Sequence, residues 1–292
     1  MQLRQLQYFV AVADHGSIRK AADALFMAQP SLSTQLAALE REVGGALLNR
    51  QARGVTLTPA GRVFLREART TLAAAERAKR FAGLALGGEQ GDVRFATVLS
   101  IAAGLVPDAL LAWRRQRPGV RAFLQEYRSS AELERSTLQG LHDFAVGPRP
   151  SGTFEVTELI GVEEFVVVLP GGDPLLDRPS VDISALGDRP WVLFTRDHGL
   201  SAVHDEIFGA AGITPEGAVS TSQTDVAVRL ATVGLGPTIV PGNVVPPELR
   251  QFTRSLATPL LRELFVYATA PIPALARAFL DELRVVCATG DR

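Results

Sequence analysis

Residues 16–42 hold two short amphipathic stretches that are separated by one proline-containing turn. Isolated helices shorter than about 12 residues are marginal in water, so such stretches are stable only when they pack on a partner. A first helix over residues 5–14 supplies that partner, because four apolar residues recur there at helical spacing. These residues are Leu6, Phe9, Val10 and Ala13. Ser17 is a favourable N-cap for a second helix over 18–26, and Pro30 suits the first turn of a third.

The third helix has one apolar face, formed by Leu32, Leu36 and Leu39, and one face with little bulk. The second face consists of Pro30, Ser31, Thr34, Ala37, Ala38 and Arg41. Small polar groups and glutamine can reach base edges in the major groove of DNA. Residues 47–58 then predict a β-hairpin, with Arg50 and Arg53 in or beside its turn. Three helices followed by a basic hairpin describe a winged helix-turn-helix domain.

Charge and cysteine content limit the functional classes. Residues 1–90 carry 12 Lys and Arg against 7 Asp and Glu, whereas the other 202 residues carry 18 against 24. A basic N-terminal part is typical of a domain that meets a polyanion. The only cysteine is Cys287, which excludes an intrachain disulfide. Because no signal peptide and no apolar run of about 20 residues is present, we expect a cytoplasmic protein without a membrane partner.

The run over residues 21–61 resembles the N-terminal signature of LysR-type transcriptional regulators. The matching residues are Ala21, Ala22, Gln29, Pro30, Ser31, Ser33, Gln35, Leu39, Glu40, Leu47, Leu48, Arg50, Leu57, Thr58 and Gly61. The resemblance implies that double-stranded promoter DNA is bound by Gln29, Pro30, Ser31, Ser33, Thr34, Gln35, Arg50 and Arg53. Ala28 stands where the family usually has Ser or Thr. Because alanine cannot cap, we expect this helix to start frayed until DNA is bound.

Residues 59–87 predict one long linker helix. Thr58 is an N-cap, and no glycine lies between Gly61 and Gly83, so the helix reaches about residue 86 and spans roughly 40 Å. Alternating spacings of four and three predict a seam of Phe64, Ala68, Thr71, Ala75, Ala78, Ala82 and Ala85. Packing on its own domain is the alternative, but a solitary helix would leave this stripe in water, which favours a dimer seam. The resemblance implies the same dimer and a homotetramer.

From residue 92 onward, strand and helix patterns alternate, which predicts βαβ units and mostly parallel sheets. Crossovers near residues 161–162 and 263–265 divide this part into two α/β lobes. Lobe I covers about 92–161 and 266–292, and lobe II about 162–265. The plan is similar to the family's effector domain, which resembles periplasmic solute-binding proteins. The predicted domains are a winged helix-turn-helix over 1–58, the linker over 59–87 and a two-lobed α/β effector domain over 88–292.

Ligands of open α/β sheets bind at the carboxyl ends of strands, near helix N-termini. Seven residues occupy such positions: Thr97, Ser100, Ser129, Ser130, Thr195, Arg196 and Thr224. Taken singly, Ser129, Ser130 and Thr224 fit helix caps better than ligands. Their convergence from both lobes nevertheless predicts an effector site. Helix N-termini and Arg196 favour a carboxylate or other anion, although Arg196 fits an exposed loop arginine equally well.

Motifs for other chemistry are missing from the sequence. The four histidines show no metal-ligand spacing, and there is no P-loop and no nucleophile elbow, so we expect no cofactor, no metal and no enzyme activity. Three classes stay open: a ligand-responsive transcription factor, a solute-receptor-like protein whose N-terminal helices serve oligomerisation, and an enzyme with an accessory helix-turn-helix. Residues 1–58 favour the first, because a receptor does not need them. The prediction is a LysR-type regulator whose promoter binding responds to a small-molecule effector.

Overall fold

The computed structural model describes residues 1–51, 54–85 and 92–289 of the 292-residue chain. The chain forms two compact units, Met1–Gly87 with Leu138–Leu141, and Gly88–Thr137 with His142–Arg292. We call the first unit the head and the second the α/β unit. The head contains helices α1 (Leu3–His15), α2 (Ile18–Ala24), α3 (Gln29–Val43) and α4 (Pro59–Ala85), and strands β1 (Leu48–Gln51) and β2 (Gly54–Leu57).

The head has one apolar core, to which the helices and the hairpin contribute. Its buried residues are Leu6, Phe9, Val12, Ala21, Ala22, Leu32, Leu36, Leu39, Leu47, Leu48 and Ala68. The three leucines predicted for the inner face of α3 all lie in this core, which confirms the predicted amphipathic pattern. Ser17 caps α2 as predicted, because its hydroxyl oxygen accepts a hydrogen bond from the Lys20 backbone N–H at 3.4 Å.

The hairpin is antiparallel, as predicted, and pairs Leu48 with Leu57. Its entry is tied to α3 by Glu40, whose Oε1 accepts hydrogen bonds from the backbone N–H groups of Leu47 at 2.8 Å and Leu48 at 3.0 Å. The chain is equally close-packed where it leaves the hairpin and enters α4, since a Cβ added to Gly61 would lie 2.0 Å from the Leu47 carbonyl oxygen. Only glycine fits there, so the wing and the start of α4 hold one another in place.

Helix α2 ends two residues earlier than predicted. Its last turn closes with hydrogen bonds from the Met27 N–H to the Ala22 carbonyl at 2.9 Å and from the Phe26 N–H to the Asp23 carbonyl at 3.2 Å. This is a Schellman motif, in which the residue after the cap takes a left-handed conformation. Phe26 occupies that position with φ 54°. The predicted helix over 18–26 was therefore wrong at its C-terminal end.

The first half of α4 packs on the head itself. The rings of Phe9 and Phe64 meet edge to face, with centroids 5.2 Å apart, and Ala68 is only 2% exposed. Ala68 is therefore taken up by the core of its own head, so the predicted dimer seam is wrong there, whereas the half-buried Phe64 packs against α1. Spacing alone does not distinguish a seam from packing within the chain, because both need the same apolar stripe. Farther along α4, Ala75 is half-buried, and Ala78 and Ala82 are exposed.

The α/β unit follows the predicted alternation of helix and strand. Its helices are α5 (Leu99–Gly104), α6 (Val106–Gln116), α7 (Ser130–Leu138), α8 (Gly199–Ala211), α9 (Thr224–Leu230) and α10 (Ala274–Thr289). Its strands are β3 (Asp92–Val98), β4 (Arg121–Tyr127), β5 (Phe144–Pro148), β6 (Val156–Val168), β7 (Ser180–Val181), β8 (Pro190–Phe194), β9 (Glu216–Thr221), β10 (Thr238–Pro241) and β11 (Thr253–Ala268).

Strand direction differs from the prediction at the centre of the main sheet. The order is β10-β6-β11-β5-β3-β4, with β7 beside β11, and β8 and β9 form a separate pair. The pairs β3–β4, β3–β5 and β8–β9 are parallel, as alternation predicts. The pairs β10–β6, β11–β6 and β11–β5 are antiparallel. The prediction of mostly parallel sheets was wrong there, because β11 runs against both β5 and β6 and β10 runs against β6, whereas β11 is parallel to the short strand β7.

Two apolar cores define two lobes within the α/β unit. The core of lobe I includes Trp113 and Phe279, and the core of lobe II includes Trp191 and Phe208. The long strands β6 and β11 contribute to both, and they are hydrogen-bonded to each other with a register shift between Leu264 and Phe265. The lobes are thus joined by a pair of continuous strands, and the loops that leave the strand ends surround a cleft.

Candidate functional site

The face of α3 that points away from the head core is open to solvent. Gln29, Pro30, Ser31, Thr34 and Gln35 are exposed, and Ser33 is half-buried. The Thr34 hydroxyl donates a hydrogen bond to the Pro30 carbonyl at 2.9 Å, which occupies its proton. No side chain caps α3 at Ala28, as predicted, so the N–H groups of the first turn stay open to an anion such as phosphate.

The hairpin carries a second candidate DNA contact of the head, Arg50. Arg50 is exposed on β1, opposite Val55 on β2. The Val55 N–H donates a hydrogen bond to the Gly16 carbonyl at 2.9 Å, which fixes the hairpin on the turn between α1 and α2. Arg53, the other predicted wing residue, lies outside the described residues. Arg50 and the exposed face of α3 therefore belong to one compact unit, the head.

A cavity of about 240 Å³ lies between the lobes of the α/β unit. Its polar lining residues are Ser100, Arg128, Ser130, His198 and Arg262. Ser100 and Ser130 come from lobe I, and His198 comes from the loop that precedes α8 in lobe II. We call this cavity the cleft. The structure thus brings together two of the seven predicted effector residues, Ser100 and Ser130, with three that were not predicted, Arg128, His198 and Arg262.

Arg262 lies on β11, at the wall of the cleft, and its charged side chain is largely shielded from solvent. Its side chain is 14% exposed and forms an ion pair with Glu163, whose side chain is 4% exposed. It also donates a hydrogen bond to the Ser100 hydroxyl oxygen at 3.0 Å. Glu163 accepts a further hydrogen bond from Asn243 Nδ2 at 2.6 Å. One positive charge therefore lies next to the cavity, partly balanced by a carboxylate behind it.

His198 presents a hydrogen-bond donor without a partner. The residue is 4% exposed, and its Nδ1 accepts a hydrogen bond from the Leu200 N–H at 3.1 Å. Burial lowers the pKa of His198 to about 4; the nearby charge of Asp197 opposes this shift, whereas those of Arg128 and Arg262 add to it. The ring is therefore neutral and carries its proton on Nε2. Nε2 is buried and has no hydrogen-bond partner among the described residues.

Two helix N-termini meet at the cleft. Ser130 begins α7 and Gly199 begins α8, and both line the cavity. The Gly199 N–H donates to the Arg128 carbonyl at 2.7 Å, and Arg128 also forms an ion pair with Asp197, so both contacts connect the lobes. Helix N-termini, a guanidinium group and an imidazole N–H all favour an acceptor or an anion. The cleft therefore collects positive charge and hydrogen-bond donors from both lobes.

The other five predicted effector residues lie elsewhere. Thr97 is fully buried in β3, and its hydroxyl donates to the Val146 carbonyl at 2.6 Å. The Ser129 hydroxyl oxygen accepts from the Glu132 N–H at 3.3 Å and caps α7. Thr224 is 3% exposed at the start of α9, and its hydroxyl has no partner within the described residues. Thr97 thus stabilises the sheet, and Ser129 caps a helix.

Thr195 and Arg196 line a separate, larger cavity of about 510 Å³ within lobe II. Arg196 is 82% exposed there and forms an ion pair with Asp205 at 2.5 Å, as expected for a loop arginine. Size alone would favour this cavity as the binding site. The cleft is nevertheless the better candidate, because it collects polar side chains from both lobes next to the positive ends of two helix dipoles.

Sequence patterns gave weak signals for the residues that were missed. Arg262 and Glu263 are the two charged residues in the otherwise apolar strand run 259–268, and a charge in such a run marks a side chain with a partner. His198 stands at the N-cap of α8, where Ser, Thr, Asp or Asn is usual. Arg128 carried no local signal. Within residues 1–51, 54–85 and 92–289, no set of three His, Cys, Asp or Glu is placed to hold a metal. No helix in those ranges has the length and apolar content to cross a membrane.

Residues 86–288 match the family model described as LysR substrate binding domain, and residues 3–62 match that of the bacterial regulatory helix-turn-helix proteins of the lysR family. The chain belongs to the LysR family of transcriptional regulators. This LysR-type regulator is 32% identical over 246 residues to the transcriptional regulator AlsR of Bacillus subtilis, covering 83% of this chain and 81% of AlsR. It is 31% identical over 250 residues to ClcR of Pseudomonas putida, covering 84% of each chain.

Among solved structures, the regulator resembles full-length CbnR complexed with its target DNA. The TM-score is 0.72 at 23% sequence identity, and the likeness covers 98% of this chain and 100% of CbnR. At this identity the likeness establishes the fold, which is a winged helix-turn-helix joined to a two-lobed effector domain. The match over residues 3–62 decides against a receptor whose N-terminal helices serve only oligomerisation. The protein is a DNA-binding regulator with an effector-binding domain.

Proposed function

We propose that this LysR-type regulator reads promoter DNA with α3 and grips it with the wing. The residues are Gln29, Pro30, Ser31, Ser33, Thr34 and Gln35 on α3, and Arg50 and Arg53 on the wing. The observation that carries the proposal is the exposed, small polar face of α3, opposite a fully apolar inner face. Such a face allows close approach to base edges, and the uncapped helix start favours a phosphate.

Selection of duplexes from a random pool, repeated with variants, tests this interface. Thr34→Ala should change the preferred sequence, and Thr34→Ser separates the methyl group from the hydroxyl. Arg50→Ala should weaken binding to all sequences and lower the salt slope by about one unit. An unchanged selected sequence and an unchanged slope would remove both residues from the interface. Leu36→Asp is the control for folding, since it buries a charge in the head core.

We also propose that the effector is a small anion, such as a carboxylate, and that it binds in the cleft. Arg262, the Nε2–H of His198 and the N-terminus of α7 supply the donors, and the positive end of the α8 dipole also favours an anion. Binding there alters how the subunits are arranged on DNA, and so changes promoter output. Apolar lining residues such as Val98 and Leu200 fit a compact hydrocarbon part of the ligand.

Thermal unfolding of the full chain with acetate, oxalate or benzoate, each compared with its neutral amide, tests this proposal. A ligand of the native state raises the unfolding temperature, so the acid should stabilise and the amide should not. His198→Asp keeps a capping oxygen for α8 but has no N–H donor and adds a negative charge, so it should weaken anion binding by at least about tenfold. Arg196→Ala is the matched control in the larger cavity. Loss of stabilisation in Arg196→Ala alone would move the site to that cavity.

We infer a homodimer through the second half of α4, including Ala75, Ala78 and Ala82, and a tetramer of two dimers. Small side chains at these positions let two helices approach closely. The relatives are transcriptional regulators, which supports regulation without catalysis, and a regulator of promoters works in the cytoplasm, where bacterial DNA lies.

A further inference from the structure

Phe26 lies on the turn that joins α2 to α3. Its backbone has a conformation that is unfavourable for phenylalanine. It follows the C-cap of α2 and has φ 54°. Among the residues that the structure describes, it is the one non-glycine residue with a positive φ. Glycine, and sometimes asparagine, takes this place in most Schellman motifs because a Cβ is strained there.

Burial does not explain the phenylalanine either. Phe26 is 98% exposed, whereas its neighbour Leu25 packs against the head core. The chain thus keeps a large apolar ring in water on a strained backbone. Strain of this kind persists where it serves a function, and an exposed aromatic side chain is typical of a contact made with a partner.

The position of Phe26 identifies the partner. Gln29, the first residue of the exposed face of α3, is three residues away, so the two Cα atoms lie within about 11 Å. The first turn of the reading helix contacts base edges in helix-turn-helix complexes. Phenylalanine reads DNA by apolar contact with the C5-methyl group of thymine in the major groove.

We propose that Phe26 contacts DNA and selects thymine at one or two positions of the operator. This inference rests on the proposed DNA interface and adds a specificity-determining residue to it. The ring covers the thymine methyl group and leaves water only in the complex. The benefit of the contact lies in the bound state, which is why the free head carries the residue at a cost to its own stability.

A thermodynamic cycle between Phe26→Gly and thymine→uracil tests the contact, because uracil lacks only the methyl group. The wild-type chain first selects its site from random duplexes, and each thymine of that site is then replaced singly. At the contacted thymine, uracil should weaken wild-type binding about fourfold, the factor for one buried methyl-sized group. The same replacement should not change the affinity of Phe26→Gly. The head of this variant should also resist unfolding better than wild type, since glycine relieves the strain.

Further variants make the outcomes distinct. Phe26→Asn, which tolerates the left-handed backbone, should match Phe26→Gly in DNA binding. Leu3→Ala removes an exposed apolar residue from α1 and should leave DNA affinity unchanged. If Phe26→Gly binds the selected site like wild type, or keeps the full uracil effect, Phe26 does not read thymine, while the DNA-binding function stands. If the wild-type chain selects no duplex at all, the proposed interface itself fails.

Discussion

Replacing Glu163 by glutamine removes one charge from the buried pair at the wall of the cleft. Glu163 accepts hydrogen bonds from Arg262 and from Asn243 Nδ2. Asn243 Oδ1 has no partner among the described residues, so rotation of the Asn243 amide lets it accept from the new glutamine. The glutamine side chain in Glu163→Gln is therefore hydrogen-bonded on both sides, and the variant loses only the charge pairing.

We expect the free energy of unfolding of the α/β unit to fall by about 3 kcal/mol. Breaking a buried ion pair from one side costs roughly 3–5 kcal/mol, and the retained hydrogen bonds place this case at the lower end. The loss arises at Arg262, which stays buried beside Ser100 and over the ring of Phe165, 5.1 Å from its centroid. An anion in the cleft should recover that energy, which corresponds to an affinity gain on the order of 100-fold.

Urea unfolding followed by tryptophan fluorescence measures this effect in the full chain. The two tryptophans, Trp113 and Trp191, are buried in the cores of lobe I and lobe II, so the signal comes from the α/β unit alone. Glu164→Gln is the control, because Glu164 points to the other face of β6. The reasoning is refuted if Glu163→Gln unfolds at the wild-type midpoint, or if acetate at constant ionic strength stabilises it less than wild type.

Three further predictions concern other parts of the chain. Glu40→Ala should cost the head about 2–4 kcal/mol, because two N–H groups lose their acceptor, and faster hydrogen exchange at the start of β1 would show it. Burial lowers the pKa of His142, His198 and His204 to about 4, so their contribution to the free energy of unfolding is complete above pH 6.5 and falls as the pH approaches 4. A urea midpoint that stays constant from pH 7 to 4.5 would contradict this. Ala75→Glu should leave the chain folded but monomeric in sedimentation, with weaker operator binding.

The head was largely predictable because its determinants are local. The inner face of α3 and the cap of α4, where the Gly61 N–H donates to the Thr58 hydroxyl oxygen at 2.9 Å, depend on residues a few positions apart. The end of α2 was not predictable, since phenylalanine is rare in a left-handed conformation. The apolar stripe of α4 was ambiguous, because Phe64 packs in the head core at the same spacing that a dimer seam would need.

The cleft was only partly predictable, since its residues meet through long-range pairing. Ser100 and Ser130 follow from the rule that ligands bind where loops leave strand ends. Arg262 reaches Ser100 across 162 residues, because β11 pairs antiparallel with β5, and β5 lies beside β3, the strand that leads to Ser100. No local sequence pattern encodes the direction in which these distant strands pair. His198 escaped for another reason: a histidine acting as an N-cap leaves its second nitrogen for the cleft, and only the fold reveals where that nitrogen lies.

The central place of β11 has a consequence for synthesis on the ribosome. β11 pairs with both β5 and β6, yet it begins at Thr253, more than eighty residues after β6 ends at Val168. At about 5–20 residues per second, the edges of β5 and β6 that await β11 stay unpaired for at least about 4 s after β6 has been made. The helices and the hairpin of the head need no such wait, because α1 to α4 are complete by residue 85. A nascent chain therefore carries a finished DNA-binding head before its ligand-binding half has closed.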